Sequence, residues 1–121
     1  MVMAQSEVSY DAENEPVRKL GNLSLNLNTY RVLVGSRVAN LTFHELDLLR
    51  IFFDQPDKVL PYNDITSMIW GNTHSATLRH LNVLVHRLRA KLAGSAPYVI
   101  ETVRGRGYGL LKSMEPEQSH G

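Results

Sequence analysis

SATLRHLNVLVHRLRAKL, residues 75–92, decides how the rest of this 121-residue chain is read. Leu78, Leu81, Val85, Leu88 and Leu92 recur at alternating spacings of three and four, which makes one apolar stripe on an α-helix. At about 100° per residue, the side facing away from the stripe carries Arg79, His80, Val83, His86, Arg87 and Ala90. Cations on that outer face alternate with small apolar side chains, and the helix contains no acid. A helix built for solubility alone mixes Glu with Lys on its exposed side. An acid-free helix braced from behind fits a DNA major groove, where Arg reads guanine and a small aliphatic group touches a thymine methyl. An ordinary amphipathic helix with a solvated basic face accounts for the segment equally well.

The length suits one domain with tails and a single hydrophobic core. No cysteine is present, which excludes disulfides and thiolate metal sites. No apolar run approaches a membrane span, and the N-terminus lacks a charged-then-apolar signal pattern. A cytoplasmic chain with no membrane partner is the expectation. The formal net charge of +1 hides an asymmetry. From Ala76 to Lys112 the cations are Arg79, Arg87, Arg89, Lys91, Arg104, Arg106 and Lys112, against the single acid Glu101. The first 15 residues carry Glu7, Asp11, Glu13 and Glu15 and no cation. Such polarity points to one face for a polyanion and an acidic tail outside it.

Residues 1–19 read as a disordered acidic leader or linker, 20–112 as the folded domain, and 113–121 as a frayed tail. Leu23, Leu25 and Leu27 alternate with polar residues, a half-buried strand; Tyr30, Val32 and Val34 alternate again. Gly35-Ser36 reads as a tight turn before a return strand from Val38 to Leu41. Thr42 with Glu45 forms a capping box for a first helix that turns Leu46, Leu48, Leu49, Phe52 and Phe53 inward. Pro56 stops that helix. Pro61 is placed as the first residue of a second helix, with Ile65, Met68 and Ile69 on its apolar side and Gly71 at its end. Ser75 is the expected N-cap of the third. Beyond Gly94, Tyr98 to Val103 and Tyr108 to Leu111 read as two strands around a glycine turn. Strands, three helices and a hairpin in this order make an α+β winged helix-turn-helix: an N-terminal antiparallel sheet, the helices, and a C-terminal β-hairpin.

Four stretches carry a family resemblance. They are Leu41-Thr42-x-x-Glu45-Leu46-x-Leu48-Leu49, the run from Val59 to Trp70-Gly71, Arg87-Leu88-Arg89-x-Lys91-Leu92, and Ile100-Glu101-Thr102-Val103-Arg104-Gly105-x-Gly107-Tyr108. In this order and spacing the chain resembles, from Leu20 to Leu111, the C-terminal winged-helix DNA-binding (effector) domain of OmpR/PhoB-type two-component response regulators. The resemblance implies sequence-specific binding of double-stranded DNA by a bacterial transcription regulator. It places the third helix in the major groove and the hairpin in the adjacent minor groove, with two copies head to tail on direct-repeat half-sites. Arg79, His80 and His86 then match phosphate contacts, Val83 and Arg87 base-edge contacts, and Arg104 the minor-groove residue. Arg89 is also a family contact position, although the projection puts it at the edge of the apolar stripe. Thr102 reads as a strand residue or a phosphate donor, and Tyr108 more as core than as ligand, although its hydroxyl could reach a phosphate. Gly71, Asn72, Thr73 and His74 form the loop where the family touches RNA polymerase.

Several positions depart from the family pattern. Asn82 replaces a usual Asp, His86 a frequent Ser or Arg, and Pro61 the usual Ser cap. Leu84 stands where a polar residue is common, which would remove a phosphate contact. The phosphorylatable receiver domain that usually comes first is not in these 121 residues, so the sequence reads as a domain excised from a longer regulator, the favoured reading, or as a natural protein that lacks the receiver.

Other functions find little support. Gly105-x-Gly107-x-Gly109 looks like a phosphate loop, but no helix follows to bind the phosphate at its N-terminus. His74, His80 and His86 fall six apart, roughly 120° out of alignment on a helix, so they do not share a metal. No enzyme and no cofactor is expected. The alternative is a protein-interaction module that keeps the winged-helix fold without reading DNA, a possibility left open by Leu84 and the unusual helix face.

Overall fold

The computed structural model describes residues 16–113; the proposed tail beyond Ser113 and the leader up to Glu15 lie outside them. Four short strands, β1 (Val17–Leu20), β2 (Leu23–Asn26), β3 (Val32–Val34) and β4 (Arg37–Ala39), pair in chain order as an antiparallel meander. Leu23 and Leu25 of β2 face Val34 and Val32 of β3, and all four are buried. β1 begins inside the stretch assigned to the leader. Its sequence, VRKL, puts two adjacent cations between apolar ends, so no period-two pattern announces it. It is an edge strand, and charge is common at edges. Arg18 there donates to Asp54 at 2.8 Å.

Helix α1 (Phe43–Asp54) starts on the capping box: the Thr42 hydroxyl accepts from the Glu45 N–H at 3.3 Å, and Glu45 Oε1 accepts from the Thr42 N–H at 2.9 Å. Leu48, Leu49, Phe52 and Phe53 turn into the core, while Leu46 is only half-buried. Helix α2 (Tyr62–Trp70) starts one residue later than expected. Pro61 is its N-cap and belongs to a two-residue strand, β5 (Leu60–Pro61). A proline φ near −61° serves helix and strand alike; the ψ of 147° makes this residue extended. Ile65 is fully buried and Ile69 half-buried, but Met68, assigned to the apolar side, is 52% exposed. Gly71 ends the helix in the left-handed region, at φ 78°.

Helix α3 (Ser75–Lys91) leads to β6 (Tyr98–Val103) and β7 (Gly107–Lys112), which form an antiparallel hairpin. β7 also pairs with β5, giving a second sheet in the order β5-β7-β6. One continuous core joins both sheets to all three helices. Leu81, Val85 and Leu88 enter it from α3, Leu48 and Phe52 from α1, and Ile100 and Leu110 from the hairpin. The outer side of α3 and the hairpin turn are left in solvent.

Candidate nucleic-acid interface

The loop before α3 is held by one side chain. His74, not Ser75, is the N-cap by backbone geometry, and its imidazole makes no cap hydrogen bond. Asn72 Oδ1 accepts instead from the His74 N–H at 3.0 Å and from the Thr77 hydroxyl at 2.6 Å. Asn72 therefore shapes the Gly71–His74 connection.

The buried arc of α3 is wider than a single stripe, because α1, α2 and β6 all pack against it. Thr77 and Leu84 are buried along with Leu81, Val85 and Leu88, whereas Leu78 is half-buried. Leu84 is 8% exposed, so most of its side chain packs into the core and only an edge reaches the surface beside Val83. That removes the main reason for supposing that the helix face has lost its DNA chemistry. Arg79, His80, Val83, His86, Arg87 and Ala90 are all exposed, Val83 by 47%. Among the described residues the ion pairs are Arg18–Asp54 and Lys91–Glu45. Neither involves a cation of the outer face.

The far end of α3 is clamped from two elements. Lys91 Nζ lies 2.7 Å from Oε1 of the buried Glu45, the capping residue of α1. Arg37 of β4 donates to the Lys91 carbonyl at 3.4 Å and to the Ala93 carbonyl at 2.5 Å, satisfying acceptors that a helix C-terminus leaves open. The recognition face is therefore set by α1 and the first sheet, not by α3 alone. Burial pushes the Glu45 carboxyl up, but the Lys91 hydrogen bond, the Thr42 N–H, the Lys91 charge and the Thr42 hydroxyl outweigh it, and the group sits below its ordinary value. A depressed carboxyl stabilises the fold above its unfolded pKa, and that contribution is lost as pH falls through the folded one. Glu45→Gln is expected to cost roughly 1–3 kcal/mol at pH 7, by urea unfolding. The gap from the parent should close below the ordinary carboxylate range; a gap unchanged at pH 3 contradicts the assignment.

In the hairpin, Arg104, Gly105 and Arg106 form the exposed turn, with Gly105 at φ 75°. Three expected DNA contacts serve as ties between hairpin and helix. Arg89 donates through Nε to the Ile100 carbonyl at 3.0 Å and through Nη2 to the Thr102 hydroxyl at 3.0 Å. Tyr108 is 6% exposed, and its hydroxyl donates to Asn82 Oδ1 at 2.6 Å. Its ring meets Tyr62 edge-on at 5.3 Å. Burial and the neighbouring Tyr62 push the Tyr108 phenol up against the opposing Arg89 charge, so it remains a donor. Asn82, noted in the sequence only as a departure, proves to be the acceptor that locks the hairpin on. No pattern in the chain could have shown that pairing. Among the described residues no cluster of metal-ligating side chains occurs.

An exposed basic helix that follows a short turn after α2, with a hairpin fixed alongside, defines a winged helix-turn-helix of the DNA-binding class. The sequence model for the family described as "Transcriptional regulatory protein, C terminal" matches residues 36–110, and the chain belongs to that family. It is 37% identical over 99 residues to the heme response regulator HssR of Staphylococcus epidermidis, covering 81% of this chain and 43% of that protein. To the phosphate regulon transcriptional regulatory protein PhoB of Shigella flexneri it is 33% identical over 95 residues, 78% of this chain and 42% of the other. The chain thus spans less than half the length of either relative. Among solved structures, the DNA-binding domain of RstA from Klebsiella pneumoniae, in complex with RstA box, superposes with a TM-score of 0.70 at 25% identity, over 78% of this chain and 96% of that one. The OmpR/PhoB-type resemblance and the winged-helix fold read from the sequence both hold.

Proposed function

We propose that this domain binds double-stranded DNA sequence-specifically as the effector part of a transcription regulator, with α3 in the major groove and the β6–β7 turn in the adjacent minor groove. The observation that carries this reading is the outer face of α3. It is exposed and acid-free, and its cations have no ion-pair partner among the described residues. The likeness to the RstA DNA-binding domain, solved in complex with RstA box, supports DNA as the partner. In this arrangement Arg87 and Val83 meet base edges, Arg79, His80 and His86 meet phosphates, and Arg104 enters the minor groove. Arg89, Thr102 and Tyr108 act mainly by holding the hairpin at its angle to α3. Two copies sit head to tail on direct-repeat half-sites. The Gly71–His74 loop, with Asn72 and Thr73 at its centre, faces RNA polymerase, and a receiver domain precedes this one in a cytoplasmic regulator.

Selection from random duplex, followed by affinity measurement across a salt series, tests the proposal. Neutralising three to five phosphates gives a slope of log K against log salt of roughly −3 to −4.5. Recovery of a shared motif with that steep slope is the expected result. No enriched motif, together with a flat salt dependence, contradicts the docking.

A further inference from the structure

His44, the second residue of α1, has no part in that docking, yet it stands in a row of rings that ends on the exposed face of α3. Its centroid is 5.6 Å from Phe43 and 5.4 Å from Trp70, and Trp70 in turn is 6.3 Å from His80. The three helices together wall one groove of about 420 Å³: His44 from α1, Trp70 from the end of α2, and His80, Val83, Leu84 and Arg87 from α3. Trp70, Val83 and Leu84 give it an apolar floor. His44, His80 and Arg87 supply N–H donors, and no acid lines it. Among the described residues none of these three side chains has a hydrogen-bond or ion-pair partner in the protein.

A sugar–phosphate backbone offers the same alternation, an apolar deoxyribose face next to a phosphate that accepts charge-assisted hydrogen bonds. The ring contacts on either side of His44 order its imidazole before any ligand arrives, so little side-chain freedom remains to be lost on binding. We infer that His44 is a further DNA-contacting residue. It donates to a backbone phosphate on the strand that His80 touches, with the intervening sugar over Trp70. The inference rests on the docking proposed above and extends its footprint from α3 and the hairpin to α1.

The test uses the whole chain and a duplex carrying the selected motif, in which single phosphates are replaced by neutral methylphosphonates. His44→Ala removes the donor, and His44→Gln keeps one. The site is exposed, so both variants should keep the parent circular-dichroism spectrum and melting. His44→Ala is expected to bind roughly three- to tenfold more weakly, by the same factor on selected and random duplex, with His44→Gln recovering part of the loss. One methylphosphonate that weakens the parent should have no further effect on His44→Ala. The inference is overturned if His44→Ala binds as the parent does. It is equally overturned if every methylphosphonate costs both proteins the same, which would mark His44 as a structural residue or the groove as a site for an acidic protein segment. A parent chain that binds no duplex overturns the docking as well; a binding parent with a silent His44→Ala overturns this inference alone.

Discussion

Arg87→Ala is expected to lower affinity for the selected duplex about 5- to 150-fold, equivalent to about 1–3 kcal/mol, with a much smaller loss on random duplex. Arg87 is exposed on the same face as Val83, one helical turn on, and no acid holds its guanidinium. A free planar fork matches guanine O6 and N7 in a way that a phosphate contact does not require. Arg79→Ala is the natural contrast. It should weaken selected and random duplex about equally and reduce the salt slope by about one. If both substitutions lose affinity in parallel on every sequence, Arg87 does not read bases.

Gly107→Ala is expected to destabilise the fold by roughly 2–4 kcal/mol, because overpacking here meets backbone and not a side chain that can swing away. A Cβ at Gly107 would lie 1.8 Å from the Leu60 carbonyl oxygen and 3.0 Å from Pro61 Cα. Gly107 pairs with Pro61 where β5 leads into α2, so relief means breaking the β5–β7 pairing. The second helix and the hairpin would then lose their common anchor. Gly105 supplies the control: nothing lies within 4 Å of its added Cβ, and only its left-handed φ of 75° opposes substitution. Gly105→Ala should therefore cost only about 1 kcal/mol. Urea unfolding of both variants decides the matter; equal stabilities would contradict the close-approach explanation.

The parts of the fold legible from the chain were those with a local physical signature. The Thr42–Glu45 box, the Gly71 stop and the glycine turn of the hairpin each follow from one or two residues and their backbone demands. The outer face of α3 followed from the helical period, and its predicted residues are all exposed. What escaped depends on contacts between distant segments. β5 has two residues, too few for any period to show, and exists because β7 lies alongside it. Leu84 is buried because three elements surround α3, while a single apolar stripe anticipates one. Met68 reads as core by spacing but lies on the outer side of α2. Arg89, Thr102 and Tyr108 carry the residue types of DNA contacts, and their hydrogen bonds to Ile100, to one another and to Asn82 appear only once hairpin and helix are placed together. His44 gave no sequence signal, since its neighbours Trp70 and His80 come from other helices.

Titrating the isotope-labelled chain with mixed-sequence duplex at low salt, and following every backbone amide by NMR, tests the central claim most directly. The predicted result is a set of shifts running along the outer face of α3 from Arg79 to Arg87 and reappearing at Arg104 in the hairpin turn, with the β1–β4 meander unmoved. Shifts confined to that meander, or none on α3 at any duplex concentration, would contradict it.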